Sequence, residues 1–127
     1  MAERLLLDTD VLVEYLRGRA EAIEYLESLE HDLFVSVVSV AELFAGVRGG
    51  EEERSLEQFL LAFTTLPVTE GVARLGGLYR RNFGPSHGTD LSDALIAATA
   101  EESGADLVTF NRRHFPMVQR ITTPYER

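Results

Sequence analysis

The chain has 127 residues, 45% of them hydrophobic and 26% charged, a balance that suits one folded domain with its own core rather than a disordered segment. Cysteine is absent, which excludes disulfides, thiol catalysis and thiolate metal sites; lysine is absent too, so all 12 basic residues are arginine and lysine-dependent chemistry is excluded. Net charge is −9, which argues against a nucleic-acid partner, yet residues 1–71 hold 5 arginines against 15 acids while residues 72–127 hold 7 against 6, so a polyanion is expected to use arginines of the second half.

In chain order, "RLLL" (4–7) predicts a buried strand ending at Asp8. "TDVLVEYLRG" predicts a helix capped by Thr9 or Asp10 and stopped by Gly18, and a second amphipathic helix follows over roughly 20–30. "LFVSVV" (33–38) is β-branched and strand-like, and "SVAELFAGVRGG" reads as a helix from Ser39 to the glycines at 49–50. A helix over 51–63, a short strand or connector at "TTLPV", a helix over 70–83 and a loop "GPSHG" (84–88) come next. The helix of "DLSDALIAATAEESG", a strand over 106–110, a polar turn "NRRHFP" and a last strand over 118–122 complete the chain. Strands alternating with helices predict an α/β fold with a mainly parallel sheet covered on both faces, in one domain spanning 1–127. No apolar run is long enough to span a membrane, and a cytoplasmic location is expected.

The acids need closer reading. Asp8 ends a strand, where ligands of such sheets gather, although a strand terminator or helix cap explains it equally well. Asp10 suits a structural role at a helix start. Ser39 and Glu42 have capping-box spacing, which gives Glu42 a purely local explanation. Asp90 and Asp93 repeat that spacing, with Asp90 as the cap. Asp93, however, shares its side of the helix with Ile96, Ala97 and Ala100, where a charged carboxylate needs a partner. Asp8, Glu42 and Asp93 at one sheet edge would repel each other unless a cation held them, and oxygen ligands favour Mg²⁺ or Mn²⁺. The three histidines, His31, His87 and His114, have no zinc-motif spacing.

"LLLDTDVLVEYL", "SVVSVAELFAGV" and "LSDALIAATAEESGADLVTFNRRHFP", in this order, resemble the PIN-domain proteins, and more closely the small toxins of the VapC type from VapBC toxin–antitoxin pairs. The resemblance covers essentially the whole chain. It implies a three-layer α/β/α sandwich and a Mg²⁺- or Mn²⁺-dependent endoribonuclease that hydrolyses RNA phosphodiester bonds with activated water. Asp8, Glu42 and Asp93 occupy the family's acidic positions as metal ligands and catalytic residues. The fourth position is usually acidic, and here the turn offers Asn111 and, three residues on, His114. Thr9, Thr109, Arg112 and Arg113 are expected to contact substrate, with Asp10, Asp90 and His114 supporting the ligands from behind. The resemblance also implies a small VapB-like antitoxin partner and a homodimer, for which the apolar side of helix 51–63 is one candidate surface and core packing the other explanation. A PIN-like module that binds RNA or a partner without cutting is the main alternative, because Asn111 adds no charge. Two phosphoryl-handling alternatives, a haloacid-dehalogenase-like phosphatase (a D-x-D start at Asp8) and a receiver domain, both want a lysine that the chain lacks.

Overall fold

Three consecutive leucines lie at the centre of the molecule. In the computed structural model, which describes residues 4–127, they belong to β1 (Arg4–Leu7), whose pleat sends Leu5 and Leu7 to one face and Leu6 to the other. An unbroken apolar run is what a parallel strand covered on both faces requires. Two further strands repeat the alternation. Val35 of β2 (Asp32–Ser36) and Val108 of β4 (Asp106–Val108) join the core of Leu5 and Leu7, whereas Phe34 and Leu107 join that of Leu6. With β3 (Thr64–Leu66) and β5 (Ile121–Thr122) at the edges, the five strands lie in the order β3-β2-β1-β4-β5, all parallel.

Helices α1 (Thr9–Leu16), α2 (Ala20–Ser28), α3 (Val37–Ala45) and α4 (Gly50–Leu60) cover the first core through Val11, Leu12, Leu26, Leu43 and Leu56. The second core is covered by α6 (Leu91–Ser103), through Ile96, Ala97 and Ala100, and by Tyr79 of α5 (Glu70–His87). The result is a three-layer α/β/α sandwich. β1, β2 and β3 step toward one edge; the chain then crosses back over α5 and α6 to lay β4 on the other side of β1. Such a reversal opens a crevice beyond the carboxyl ends of the strands. Asp8 and Thr109, the residues that follow β1 and β4, therefore meet there, and the Asp8 N–H donates to the Val108 carbonyl at 2.9 Å.

Several elements end elsewhere than the sequence predicts, among them the strand expected over 106–110, which stops at Val108, and one open alternative is decided. Strand β2 stops at Ser36, whose hydroxyl accepts from Val38 N at 3.0 Å, so Ser36 and not Ser39 caps α3. Glu42 is thus in the second turn, with no capping box to occupy it. "GPSHG" is the last turn of α5 rather than a loop: Pro85 forfeits one backbone bond, and Gly88, left-handed at φ 67°, closes the helix by donating to Gly84 O. The last strand shrinks from 118–122 to two residues. The apolar side of helix 51–63 is taken by the molecule's own core, with Phe59 stacked on Tyr15 at 5.0 Å and edge-on to Phe63 at 5.0 Å. No described helix is long and apolar enough to cross a membrane.

Candidate active site

At the crevice, Asp8 does two jobs at once. It caps α1, its Oδ1 accepting from Thr9 N at 2.8 Å, so of the three cap candidates Asp8, Thr9 and Asp10 it is Asp8 that serves. Its Oδ2 accepts from the hydroxyl of fully buried Thr109 at 2.7 Å. Only 5% of the residue is exposed. Burial, then repulsion from Asp10, pushes its carboxyl from the ordinary 3.8 up to about 7 despite both hydrogen bonds. Asp10 is raised as well, again chiefly by burial. Its Oδ2 accepts from Phe110 N at 3.2 Å, while its Oδ1 is buried with no hydrogen-bond partner.

The head of α6 supplies the next acid. Asp90 caps the helix, accepting from Asp93 N at 2.8 Å, and the Asp93 carboxylate returns to Asp90 N at 3.4 Å. The capping box is therefore real, and Asp93 belongs to it while also facing the cavity. The Asp93 side chain is 16% exposed, and burial, then repulsion from Asp90, pushes it up to about 6. Leu91, at the start of the same helix, is exposed, whereas Ala94 and the run from Ile96 to Ala100 are buried.

Glu42 reaches the site from α3. It is exposed and accepts from the Thr9 hydroxyl at 2.8 Å; the Ser39 hydroxyl sits 2.7 Å behind Thr9. Ser39 thus helps orient the glutamate through Thr9, a connection 30 residues apart that no local pattern could reveal.

After β4, Asn111 N donates to Thr109 Oγ1 at 3.0 Å and opens the 3-10 turn Arg112–His114. His114 Nδ1 lies 3.1 Å from Asp93 Oδ2 and 2.7 Å from Asn111 Nδ2. A proton on Nδ1 donates to Asp93, whereas a bare Nδ1 accepts from the Asn111 amide, so the ring makes one of these bonds at a time. The Thr89 hydroxyl fixes the turn by donating to His114 O at 2.7 Å.

Asp8, Thr9, Asp10, Glu42, Asp93 and Asn111 line one cavity of about 350 Å³. Thr109 lies beneath it and Asp90 behind it. Asp10, expected as a support, is on the wall itself. Arg112 and Arg113 do not line the cavity: the 3-10 turn puts Asn111 on its wall and His114 against Asp93 and leaves both arginines exposed, with Arg112 directed to Ile121 O at 3.4 Å. The arginines on the wall are instead Arg17 and Arg127, with Glu14 beside them. Asp10, Val13, Glu14 and Arg17 follow i, i+3, i+4, i+7 spacing, so the α1 stripe was readable as one face. Arg127 carries no such local signal.

Among the described residues, no three histidine, aspartate or glutamate side chains already converge as a metal cage. A hard cation suits the donor set nonetheless. Mg²⁺ is commonly held by one or two carboxylates and keeps several waters. Asp8, Asp10 and Asp93 are destabilised as anions by burial, and a buried Asp10 oxygen lacks a partner.

The PIN domain family model matches residues 5–120. Ribonuclease VapC10 of Mycobacterium tuberculosis is 41% identical over 124 residues, 95% of this chain and 92% of that protein. Ribonuclease VapC19 of the same organism is 43% identical over 124 residues, covering 94% and 98%. Among solved structures, a toxin–antitoxin complex from Klebsiella pneumoniae superposes with a TM-score of 0.82 at 27% identity, covering 96% of this chain and 98% of its own.

Proposed function

This chain belongs to the PIN domain family, and from that premise we propose that it is an endoribonuclease, the toxin of a toxin–antitoxin pair, whose cavity uses Mg²⁺ or Mn²⁺ to hydrolyse cytoplasmic RNA. Its kinship with ribonucleases VapC10 and VapC19 and with a toxin–antitoxin complex supports the activity and an antitoxin partner; pairing of two copies completes the proposed assembly. The observation that carries the reading is the meeting of Asp8, Asp10, Asp93 and Glu42 at the switch point of the sheet.

Asp8, Asp93 and Glu42 would hold the cation. Thr109 and the Thr9 N–H fix the two Asp8 oxygens, His114 orients Asp93, and the Thr9 hydroxyl orients Glu42. When bound, the cation supplies Lewis acidity to a phosphoryl oxygen and to the attacking water. Glu42, the exposed carboxylate of the set, would take up the proton of that water while helping to hold the cation. Cleavage then leaves a 5′-phosphate and a 3′-hydroxyl without using the ribose 2′-hydroxyl. Asn111, uncharged in the fourth position, lines the cavity beside them.

The test is purified protein on structured RNAs with Mg²⁺ or Mn²⁺, against EDTA and Asp93→Asn controls. Cleavage that needs the metal and Asp93 is expected. Cleavage persisting in Asp93→Asn would remove the site assignment, and an inactive wild type would favour an RNA- or partner-binding module.

A further inference from the structure

The cavity sets five carboxylates, Asp8, Asp10, Glu14, Glu42 and Asp93, against two guanidinium groups, Arg17 and Arg127. A polyanion approaching so acidic a mouth needs cationic contacts of its own. Arg127 is built for one. Its Nη1 donates to Glu14 Oε1 at 2.9 Å, and its guanidinium lies 4.3 Å over the Phe110 ring. Phe110 is in turn edge-on to Tyr125 at 5.0 Å, and Tyr125 meets Tyr25 at 6.3 Å. Glu14, buried under this arrangement, also pairs with Arg19 at 3.5 Å. One face and one edge of the Arg127 fork are therefore pinned, yet its side chain stays 49% exposed and lines the cavity. A planar fork held this way loses little freedom on gripping a second anion, and its geometry matches phosphate oxygens.

Arg17 continues the same wall one turn along α1 from Glu14. It also lines the adjoining groove of about 610 Å³ between α1, α3 and α4, so it stands where the two spaces join. Resting on the reading of the cavity as an RNA site, we propose that Arg127, braced by Glu14 and Phe110, grips a backbone phosphate of the RNA at the cavity rim, with Arg17 holding the next stretch of strand along α1.

The experiment compares wild type, Arg127→Ala, Arg127→Lys and Glu14→Gln. It reads single-stranded RNA binding by fluorescence anisotropy across a salt series, cleavage kinetics with Mg²⁺, Mg²⁺ affinity and thermal stability. Arg127→Ala is expected to weaken RNA binding and raise KM by about tenfold at low salt, the worth of one charge-assisted contact, with kcat little changed. The slope of log affinity against log salt should fall by about 0.7, one single-strand phosphate contact. Arg127→Lys should keep the slope and lose part of the affinity. Glu14→Gln removes the brace but keeps the guanidinium, so it should lose stability while retaining most RNA affinity. Equal losses of RNA affinity in Arg127→Ala and Glu14→Gln would overturn the proposal in favour of a staple between the C-terminal segment and α1. Unchanged RNA affinity with tighter Mg²⁺ binding in Arg127→Ala would overturn it in favour of an internal counter-ion for the acids. If wild type binds RNA through Arg127 yet cuts none, the phosphate grip stands and the nuclease reading fails.

Discussion

Single atoms decide what the cavity can hold. His114 Nδ1 touches Asp93 Oδ2, so the ring sets the direction of a carboxylate rather than reaching the cavity itself. Partners of this kind typically govern metal affinity or activity by about 10–100-fold, and His114→Ala should lower Mg²⁺-dependent cleavage within that range. Unchanged kinetics would mean that Asp93 is held by its capping box alone. Asn111 gives the complementary test. Asn111→Asp adds a charge to a crowd of acids, so the metal-free protein should melt lower and bind Mn²⁺ more tightly by isothermal titration. If affinity does not rise, position 111 does not face the bound ion. Asp8 and Asp93 were legible because each sits at a boundary, a strand end and a helix head, where an apolar neighbourhood makes an acid conspicuous. Thr9, Thr109 and Arg127 acquire their partners across long sequence separations, and no pattern within a helix or strand encodes those meetings. Arg112 and Arg113 follow Asn111 directly in sequence, yet the 3-10 turn leaves both exposed and off the cavity wall.

Among the elements, α6 brings Asp93 to the cavity and packs against α5, in which two adjacent glycines have opposite meanings. A Cβ at Gly76 would lie 2.7 Å from Leu95 Cδ2 and 3.3 Å from Leu95 Cα, so the helices touch backbone to backbone there. A Cβ at Gly77 would meet nothing within 4 Å. Gly76→Leu forces α6 off its seat and should cost about 1–3 kcal/mol. Gly77→Ala should stabilise by roughly 0.5–1 kcal/mol, the helix-propensity difference alone. Urea denaturation of both variants checks the pair, and equal effects would mean that the helices are not in close contact at position 76. The element order followed from periodicity, but the ends did not. A run such as "LFVSVVSVAEL" satisfies strand and helix alike, and the competition is settled by which serine accepts the first free N–H. Ser36 wins because β2 is already paired with β1 through Phe34 and with β3 through Ser36. The loop expected over "GPSHG" is helical instead, because a proline this near a helix end removes one bond only.

For the molecule as a whole, crowding acids at one edge makes stability depend on pH in an unusual direction. Most carboxylates in folded proteins are stabilised as anions, so stability falls on acidification. Asp8 and Asp93 behave oppositely, shifted from 3.8 up to about 7 and about 6 by burial and by neighbouring acids. Their neutral forms are favoured by folding. That contribution is fully present below the ordinary value of 3.8 and is lost as pH rises through about 6 and then about 7. For Asp8 alone, the rise from 3.8 to about 7 sets an upper scale of a few kcal/mol, shared with the acids around it. The metal-free protein should therefore lose melting temperature between about pH 4 and pH 7, an interval that overlaps the one in which proteins are usually most stable. Binding a divalent cation needs the anionic forms and should reverse the trend, adding about 2.7 kcal/mol once the cation stands at a hundred times its dissociation constant. Differential scanning fluorimetry in EDTA and in Mg²⁺ across this range reads both effects, and Asp8→Asn supplies the control by flattening the metal-free slope and removing the Mg²⁺ gain. A metal-free melting temperature that stays level or climbs with pH would show that the acids are held apart or solvated in solution. The same outcome would take away the physical reason for a cation at the switch point of the sheet.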